Sequence, residues 1–276
     1  MSIRYKMLDY LRLSKGVIRY HFVGPGASRK VFVIGTGRSG THWLGYIIGA
    51  HPDIAATVEK PPIFPWVTQM ALRPDTVNQL YPRLVRRYRY EHAAVLPKHY
   101  LDKSHPNIWL AALLAESFPE ALFVGIKRDV FGTVNSMLQH DGVLAWIRRW
   151  RDYPLPNQFL GVGLASATAY DALTLEAKCA IRWKAHVMQL DYLRGVLGNR
   201  LMILEYDRLQ VDIGTELSRI SSFLALKTSV PTPHIETRSL DKWQDELSEQ
   251  QKRNISDAVR DFPVYHQKFD ETCGHL

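Results

Sequence analysis

The chain has 276 residues, enough for one sizeable α/β domain whose core needs neither disulfide nor metal to hold it. Its hydrophobic share of 46% and charged share of 22% are those of a globular protein, which excludes a disordered or low-complexity chain. The net charge of +8 favours an anionic ligand or surface, and two cysteines, Cys179 and Cys273, provide neither a disulfide framework nor a zinc spacing.

Residues 1–30 are basic and loosely amphipathic, with Leu8, Leu11 and Leu13 among Arg12, Lys15 and Arg19. They hold no apolar run long enough for a signal peptide or membrane anchor, so a cytoplasmic location is expected. A helix packed on the domain and ending at Gly24-Pro25-Gly26 is the favoured reading. Peripheral contact with a membrane through the same basic segment is the other. Residues 1–29 thus read as a basic helical extension, and 30–262 as the core of a single domain spanning 1–276.

The next stretch, Val31 to Ala50, organises the chain. Val31, Phe32, Val33 and Ile34 form a short apolar run rich in β-branched residues, as expected of a strand buried on both faces. Gly35, Gly37 and Gly40 permit tight turns and close backbone approach, and Trp43, Ile47 and Ala50 then recur at helical spacing. A strand, a glycine loop and a helix N-terminus aim free backbone N–H groups and the helix dipole at one place, which suits phosphate or sulfate. Gly35-x-Gly37-x-x-Gly40 also fits a dinucleotide fingerprint, with Asp53 or Glu59 near the distance of a ribose-binding acid. A triphosphatase P-loop would need Lys and then Ser or Thr after Gly40, where Thr41 and His42 stand. The cation is instead Arg38, inside the loop and followed by the hydroxyls of Ser39 and Thr41, which suits a more heavily charged terminal group. Arg38-Ser39-Gly40-Thr41-His42-Trp43 resembles the 5′-phosphosulfate loop of sulfotransferases, Lys/Arg-Ser-Gly-Thr-Thr/Ser-Trp/Phe.

Ile54 to Val58 reads as a second strand, ending at Glu59 and a rigid Pro61-Pro62. The stretch from Pro61 to Leu96 is less regular, and its Arg83, Arg86, Arg87 and Arg89 read as a solvated helix face. His99 to Lys103 reads as a third strand, and Ser104 to Phe118 as a helix with Ser104 as a possible N-cap. Asp102-Lys103-Ser104-His105-Pro106 resembles the Glu-Lys-Ser/Thr-Pro segment of bacterial and carbohydrate sulfotransferases, with Asp for Glu and His inserted before Pro.

Ala121 to Ile126 reads as a buried strand running into Arg128 and Asp129, and a helix follows. Arg128 and Ser136 are eight apart, the spacing of the sulfotransferase 3′-phosphate motif R-D-P-x-D-x-x-x-S, although Val130 and Gly132 replace its Pro and second Asp. An Arg at a strand end and a Ser on the next helix can converge on one phosphate. Asp141 to Ala167 reads as irregular, with Trp146, Trp150 and Phe159 either stacking on a sugar or base or packing as a lid. A long helix from about Ala169 to Leu197, closed by Gly198-Asn199, precedes a strand at Leu201 to Glu205. The segment from Leu204 to Leu226 resembles the family's R-Y-E-D-L strand and the helix after it, and Ser239 to Trp243 its closing segment. The last helix opens at Ser248 with Gln251 three residues on, a capping-box pattern.

Alternating strands and helices predict a mostly parallel sheet with helices on both faces. The resemblance implies a three-layer α/β/α fold like that of P-loop nucleotide kinases. It also implies transfer of a sulfuryl group from 3′-phosphoadenosine 5′-phosphosulfate to an acceptor hydroxyl or amine. The implied catalytic set is Glu59 as base, Arg38 at the bridging oxygen and Lys103 near the transferring group. The implied donor-binding set is Arg38, Ser39, Gly40, Thr41, His42, Trp43, Arg128 and Ser136. No metal is implied, and nucleic acid is not an expected partner. Two other readings stand beside it: an NAD(P)-dependent oxidoreductase, which explains the glycines but not Arg38 or the Arg128/Ser136 pair, and a non-catalytic nucleotide-binding module.

Overall fold

Val31 to Ile34 are all buried because β1 (Lys30–Gly35) is the middle strand of a sheet covered on both faces. The computed structural model describes residues 3–24, 26–232 and 241–266. With β2 (Ile54–Val58), β3 (His99–Lys103), β4 (Leu122–Lys127) and β5 (Leu201–Glu205), β1 forms an all-parallel sheet in the order β2-β3-β1-β4-β5. In chain order the helices begin α1 (Ile3–Phe22), α2 (Thr41–Gly49), α3 (Ile63–Leu72), α4 (Val77–Val95), α5 (Ala111–Ser117), α6 (Val130–Leu138) and α7 (Asp141–Arg148). They continue α8 (Ala167–Asp171), α9 (Leu175–Leu197), α10 (Tyr206–Val211), α11 (Ile213–Phe223), α12 (Lys242–Glu246) and α13 (Glu249–Asp261).

Side-chain alternation on the strands splits the core in two. Phe32, Ile34, Tyr100 and Phe123 pack with Val67, Leu84, Leu114, Val134 and Leu190 from α3, α4, α5, α6 and α9. Val31, Val33, Leu101 and Val124 point the other way, onto Leu44 and Ile48 of α2 and Leu217 and Ile220 of α11. Three layers result, the expected α/β/α arrangement. From β1 the chain crosses to the far edge at β2, and from β3 it crosses to the opposite side at β4. The carboxyl end of β1 therefore lies at the topological switch point, where parallel sheets open a crevice.

A buried polar network fixes the end of β3. Asp102 is fully buried and accepts hydrogen bonds from Thr57 (3.1 Å), Tyr88 (3.0 Å) and Asn107 (2.9 Å). Burial raises its pKa to about 6. These bonds set the pleat so that the next side chain, Lys103, points to the α2 face, where its Cβ would lie 3.0 Å from a Cβ placed on Gly45.

The structure departs from the sequence expectations in four places. Pro61 to Leu96 is two helices, α3 and α4, whose apolar positions Ile63, Val67 and Met70, then Leu80, Leu84 and Tyr88, keep helical spacing despite five prolines. Of the basic run there, Arg83, Arg86 and Arg89 are exposed, but Arg87 is buried and bonds Asp9 (2.9 Å) and Glu91 (2.6 Å). The expected helix from Ser104 is instead a 3₁₀ turn, His105–Trp109, followed by α5; Ser104 stays extended and its side chain makes no cap bond. The expected long helix is broken at Thr174, an extended residue between α8 and α9, while Gly198 closes it at φ +53° as expected. Asp141 to Arg148 is a helix, capped by His140 accepting from the Val143 N–H.

Two further expectations agree with the structure. α1 packs along α4, where a Cβ on Gly16 would meet the Tyr90 carbonyl oxygen at 2.1 Å. Ser248 and Gln251 form the reciprocal capping box. Pro25, Ser239, Leu240 and Cys273 lie outside the described residues.

Gly40 has φ +88°, and a Cβ there would meet the Tyr206 ring at 2.5 Å. Gly40→Ala is expected to cost about 2 kcal/mol, from the left-handed backbone and the ring contact together. Urea unfolding measures it, and an unchanged midpoint would show that this turn is not held as described.

Candidate active site

The loop after β1 is built for close approach. A Cβ on Gly35 would lie 2.4 Å from the Ile126 carbonyl oxygen, so the loop leaves the sheet hard against β4. α2 then starts with no side-chain cap at Gly40, which leaves its first N–H groups directed into the crevice. Arg38 is exposed, and its Nε donates to Ser136 Oγ of α6 at 3.1 Å. Ser39 is buried, its Oγ 3.5 Å from Thr133 Oγ1. Thr41 is buried as well, and Trp43 is half-buried and edge-on to Tyr206, with ring centroids 6.0 Å apart.

Beside this loop, three side chains converge on Glu59. Lys103, fully buried, donates to Glu59 Oε1 in a very short contact and to His42 Nδ1 at 2.7 Å. His105 Nδ1 donates to the same carboxylate oxygen at 3.0 Å, and His42 Nε2 lies 3.4 Å from the other. Burial alone would raise the Glu59 pKa, but hydrogen bonds from His105 and Lys103 and the charge of Lys103 outweigh it and hold the carboxyl at about 2. Withdrawal from water lowers the Lys103 ammonium to about 8, against the attraction of Glu59. Burial lowers His105 to about 3, so its ring is neutral. The His42 pKa is also lowered, first by burial and then by Lys103, which matches a neutral ring accepting at Nδ1.

The backbone marks the same residues. Among the described residues, three other than glycine have positive φ: Arg38 (78°), Glu59 (46°) and Ala225 (53°). Two of the three carry the charges of this crevice, and each such backbone costs on the order of 1–2 kcal/mol. The Glu59 N–H bonds the Lys103 carbonyl at 2.8 Å, which fixes the bend.

A second cation, Arg128, lies just past the end of β4. The Arg128 guanidinium sits 4.5 Å above the Tyr206 ring, and its Nε is 3.8 Å from Asp129. Asp129 caps α6 by accepting from the Gly132 N–H at 2.8 Å. A Cβ on Gly132 would lie 2.6 Å from Asp129 Oδ2 and 2.9 Å from Arg128 Nε, so only glycine leaves room for both. The bond between Arg38 and Ser136 joins this position to the first. Arg38, Lys103 and Arg128 thus bring three cations to this region, with Glu59, Asp129 and, near Arg128, Asp207 as its acids. Asp53, by contrast, precedes β2 at its amino end, while the crevice lies at the carboxyl ends of the strands, which removes it from the ribose position of the dinucleotide reading.

Two residues of the site are not singled out by the sequence. Tyr206, at the start of α10, lies between Gly40, Trp43 and Arg128 and supports all three. Arg182 of α9 is fully buried behind His105, 4.5 Å from the Phe159 ring and 5.8 Å from that of Trp146, and no carboxylate among the described residues pairs with it. Trp146 in turn lies 6.1 Å from His105, so the aromatic stretch after α6 packs as a wall of the site. Among the described residues, no cluster of His, Cys, Asp and Glu could hold a metal ion.

Known proteins are similar to this chain over most of its length. Residues 30–230, well over half of the chain, match the family model described as the Sulfotransferase family. A Caenorhabditis briggsae protein provisionally named a protein-tyrosine sulfotransferase is 22% identical over 266 residues, covering 83% of this chain and 85% of its own. Two solved folds are similar. One is the sulfotransferase domain from the curacin biosynthetic pathway, with TM-score 0.54 and 12% identity, covering 83% of this chain and 97% of that one. The other is the sulfotransferase domain of the Synechococcus PCC 7002 olefin synthase, with TM-score 0.51 and 15% identity, covering 86% and 96%.

Glu59 and Lys103 are expected to be strongly coupled. In a double-mutant cycle of Glu59→Gln and Lys103→Met, unfolding should give a coupling energy of about 1–3 kcal/mol at neutral pH. The Glu59 pKa is depressed, so this stability is complete above the unfolded carboxyl value of about 4.3 and is lost as pH falls through about 2. Coupling that disappears by about pH 5 would mean an ordinary carboxyl and contradict the geometry.

Proposed function

The chain belongs to the sulfotransferase family, and from that premise we propose how its own residues carry sulfuryl transfer. The donor is 3′-phosphoadenosine 5′-phosphosulfate. The α2 N-terminus, with Ser39, Gly40, Thr41 and His42, receives the 5′-phosphosulfate, and Trp43 borders the adenine side. Arg128 and Ser136 receive the 3′-phosphate. The observation that carries this reading is the 3.1 Å bond between Arg38 and Ser136, which links two anion positions across one crevice beside Glu59. A nucleotide charged at both ends matches that spacing of cations, and one charged at a single end leaves Arg128 idle.

The reaction forms a bond between sulfur and the acceptor oxygen or nitrogen. It breaks the bond between sulfur and the bridging oxygen, whose electron pair stays on the 5′-phosphate. Negative charge grows on that oxygen as sulfur departs, by analogy with loose phosphoryl transfer. Arg38 turns from Ser136 to meet it, and Lys103 turns from Glu59 toward the same charge. Glu59, ionised throughout the neutral range, takes the acceptor proton. Its carboxylate becomes a better base once Lys103 has left it, because the cation that depresses its pKa is then shared with the donor. In a loose transition state the acceptor proton is transferred late, so the base needs position more than strength. The acceptor is a hydroxyl or amine.

Calorimetry should show adenosine 3′,5′-bisphosphate binding far more tightly than AMP. Arg128→Ala should remove roughly 1.5–3 kcal/mol of that affinity while leaving AMP unchanged. Equal affinity of the wild type for both nucleotides would refute the Arg128/Ser136 assignment. Arg38→Ala should lower kcat more than donor affinity, because the growing charge is what it meets. Glu59→Gln should lower turnover by about 10²–10⁴ with donor affinity kept. In the wild type, kcat/KM should stay level on the acid side of neutrality and fall as pH rises past about 8, where Lys103 loses its charge. An acid limb near about pH 6 would instead make a histidine the base.

A further inference from the structure

α1 has a face that its packing does not use. Its inner side lies against α4 through Gly16, Arg12 bonded to Glu91 (2.9 Å) and Asp9 bonded to Arg87 (2.9 Å). On the opposite side, Met7, Leu11, Ile18 and Phe22 recur at the spacing of one helical stripe, each more than half exposed and Phe22 at 83%. Four large apolar side chains in one line are more than the scattered exposure of an ordinary surface.

The charge around this stripe has one sign. Asp9 is the only acid in α1, and Arg87 and Lys60 neutralise it. Lys15 borders the stripe, and α4 exposes Arg83, Arg86 and Arg89 alongside. Two grooves of about 390 and 470 Å³ run between the helices, and Tyr20 and Arg89 line both, with Arg86 in the second. No helix among the described residues is long and apolar enough to cross a membrane.

We propose that α1 and the arginine face of α4 dock the protein peripherally on an anionic lipid bilayer. Met7, Leu11, Ile18 and Phe22 enter the boundary between headgroups and acyl chains, and Arg86 and Arg89 take lipid phosphates at the grooves. An apolar stripe edged by cations has the chemistry of an interfacial helix, where hydrophobic burial and attraction to anionic headgroups add. A second copy of the chain fits less well, because stacking two such faces would bring Lys15, Arg86 and Arg89 of both copies together without counter-charges. The proposal is independent of the sulfuryl-transfer reading, since it uses no residue of the crevice.

Flotation with vesicles of phosphatidylcholine, with and without phosphatidylserine, tests it on the full chain. The protein should float with the anionic vesicles, far less with neutral ones, and be released by salt. Ile18→Asp should lower partitioning about tenfold or more, the scale of one large apolar side chain kept in water. Arg86→Gln and Arg89→Gln should each lower it about fivefold, and only on anionic vesicles. An unchanged circular dichroism spectrum controls for folding of each variant. Wild-type protein that stays off anionic vesicles, or Ile18→Asp that floats as well as wild type, overturns the proposal. So does a wild-type dimer in sedimentation velocity that Ile18→Asp dissociates without vesicle binding, which would make the stripe an interface between copies.

Discussion

A lysine with no exposed surface, held at the end of a buried strand by one carboxylate, is the constraint on which the rest of this site depends. Removing an ammonium from water costs several kcal/mol unless a partner compensates. Lys103 meets that cost through Glu59 on one side and the lone pair of His42 on the other. Glu59 must leave ordinary backbone geometry to reach it, and His105 must leave α-helical geometry to share it. The bonds to Asp102 from Thr57, Tyr88 and Asn107 hold the strand end in register beneath them. Each of these oddities has a local cost, and all of them serve the same pair of charges.

The crevice also sets its cations against one another. Arg38 is spaced from Lys103 by the glycine loop, and Arg128 is spaced from Arg38 by the length of one side chain and Ser136. Partial withdrawal from water lowers the Arg38 pKa against the attraction of Glu59, and Arg128 lowers it further, yet an arginine remains charged at neutral pH. A ligand with phosphate at one end and phosphosulfate at the other relieves these repulsions at three points. Binding energy at the 3′ end can then position sulfur against Glu59 and its acceptor.

Much of this was legible in the sequence where local pattern and long-range packing agree. β1 and β4 announce themselves as apolar runs, since both their faces are buried, and the uncapped glycine loop before α2 follows from Gly35, Gly37 and Gly40. The helices between Pro61 and Leu96 were hidden by their prolines, although the apolar spacing beneath was intact. The 3₁₀ turn after Ser104 answers to Asn107 bonding Asp102, a tertiary contact that no local pattern reports. Arg87 reads as surface in its basic run because its partners Asp9 and Glu91 lie on α1 and one turn onward. Arg182 and Tyr206 were invisible for the same reason: each matters through what the fold packs against it. Gly132, where the family pattern has an acid, becomes intelligible only once Arg128 and Asp129 occupy the space its side chain would need.

Turnover separates a crevice that moves a sulfuryl group from one that merely holds its donor. Incubating the protein with sulfur-labelled 3′-phosphoadenosine 5′-phosphosulfate and a panel of phenols, peptides, glycans and hydroxylated lipids tests it most directly. Label should appear on a hydroxyl or amine of at least one class, with adenosine 3′,5′-bisphosphate formed in equal amount. Tight donor binding with no label on any acceptor and no bisphosphate formed would contradict it.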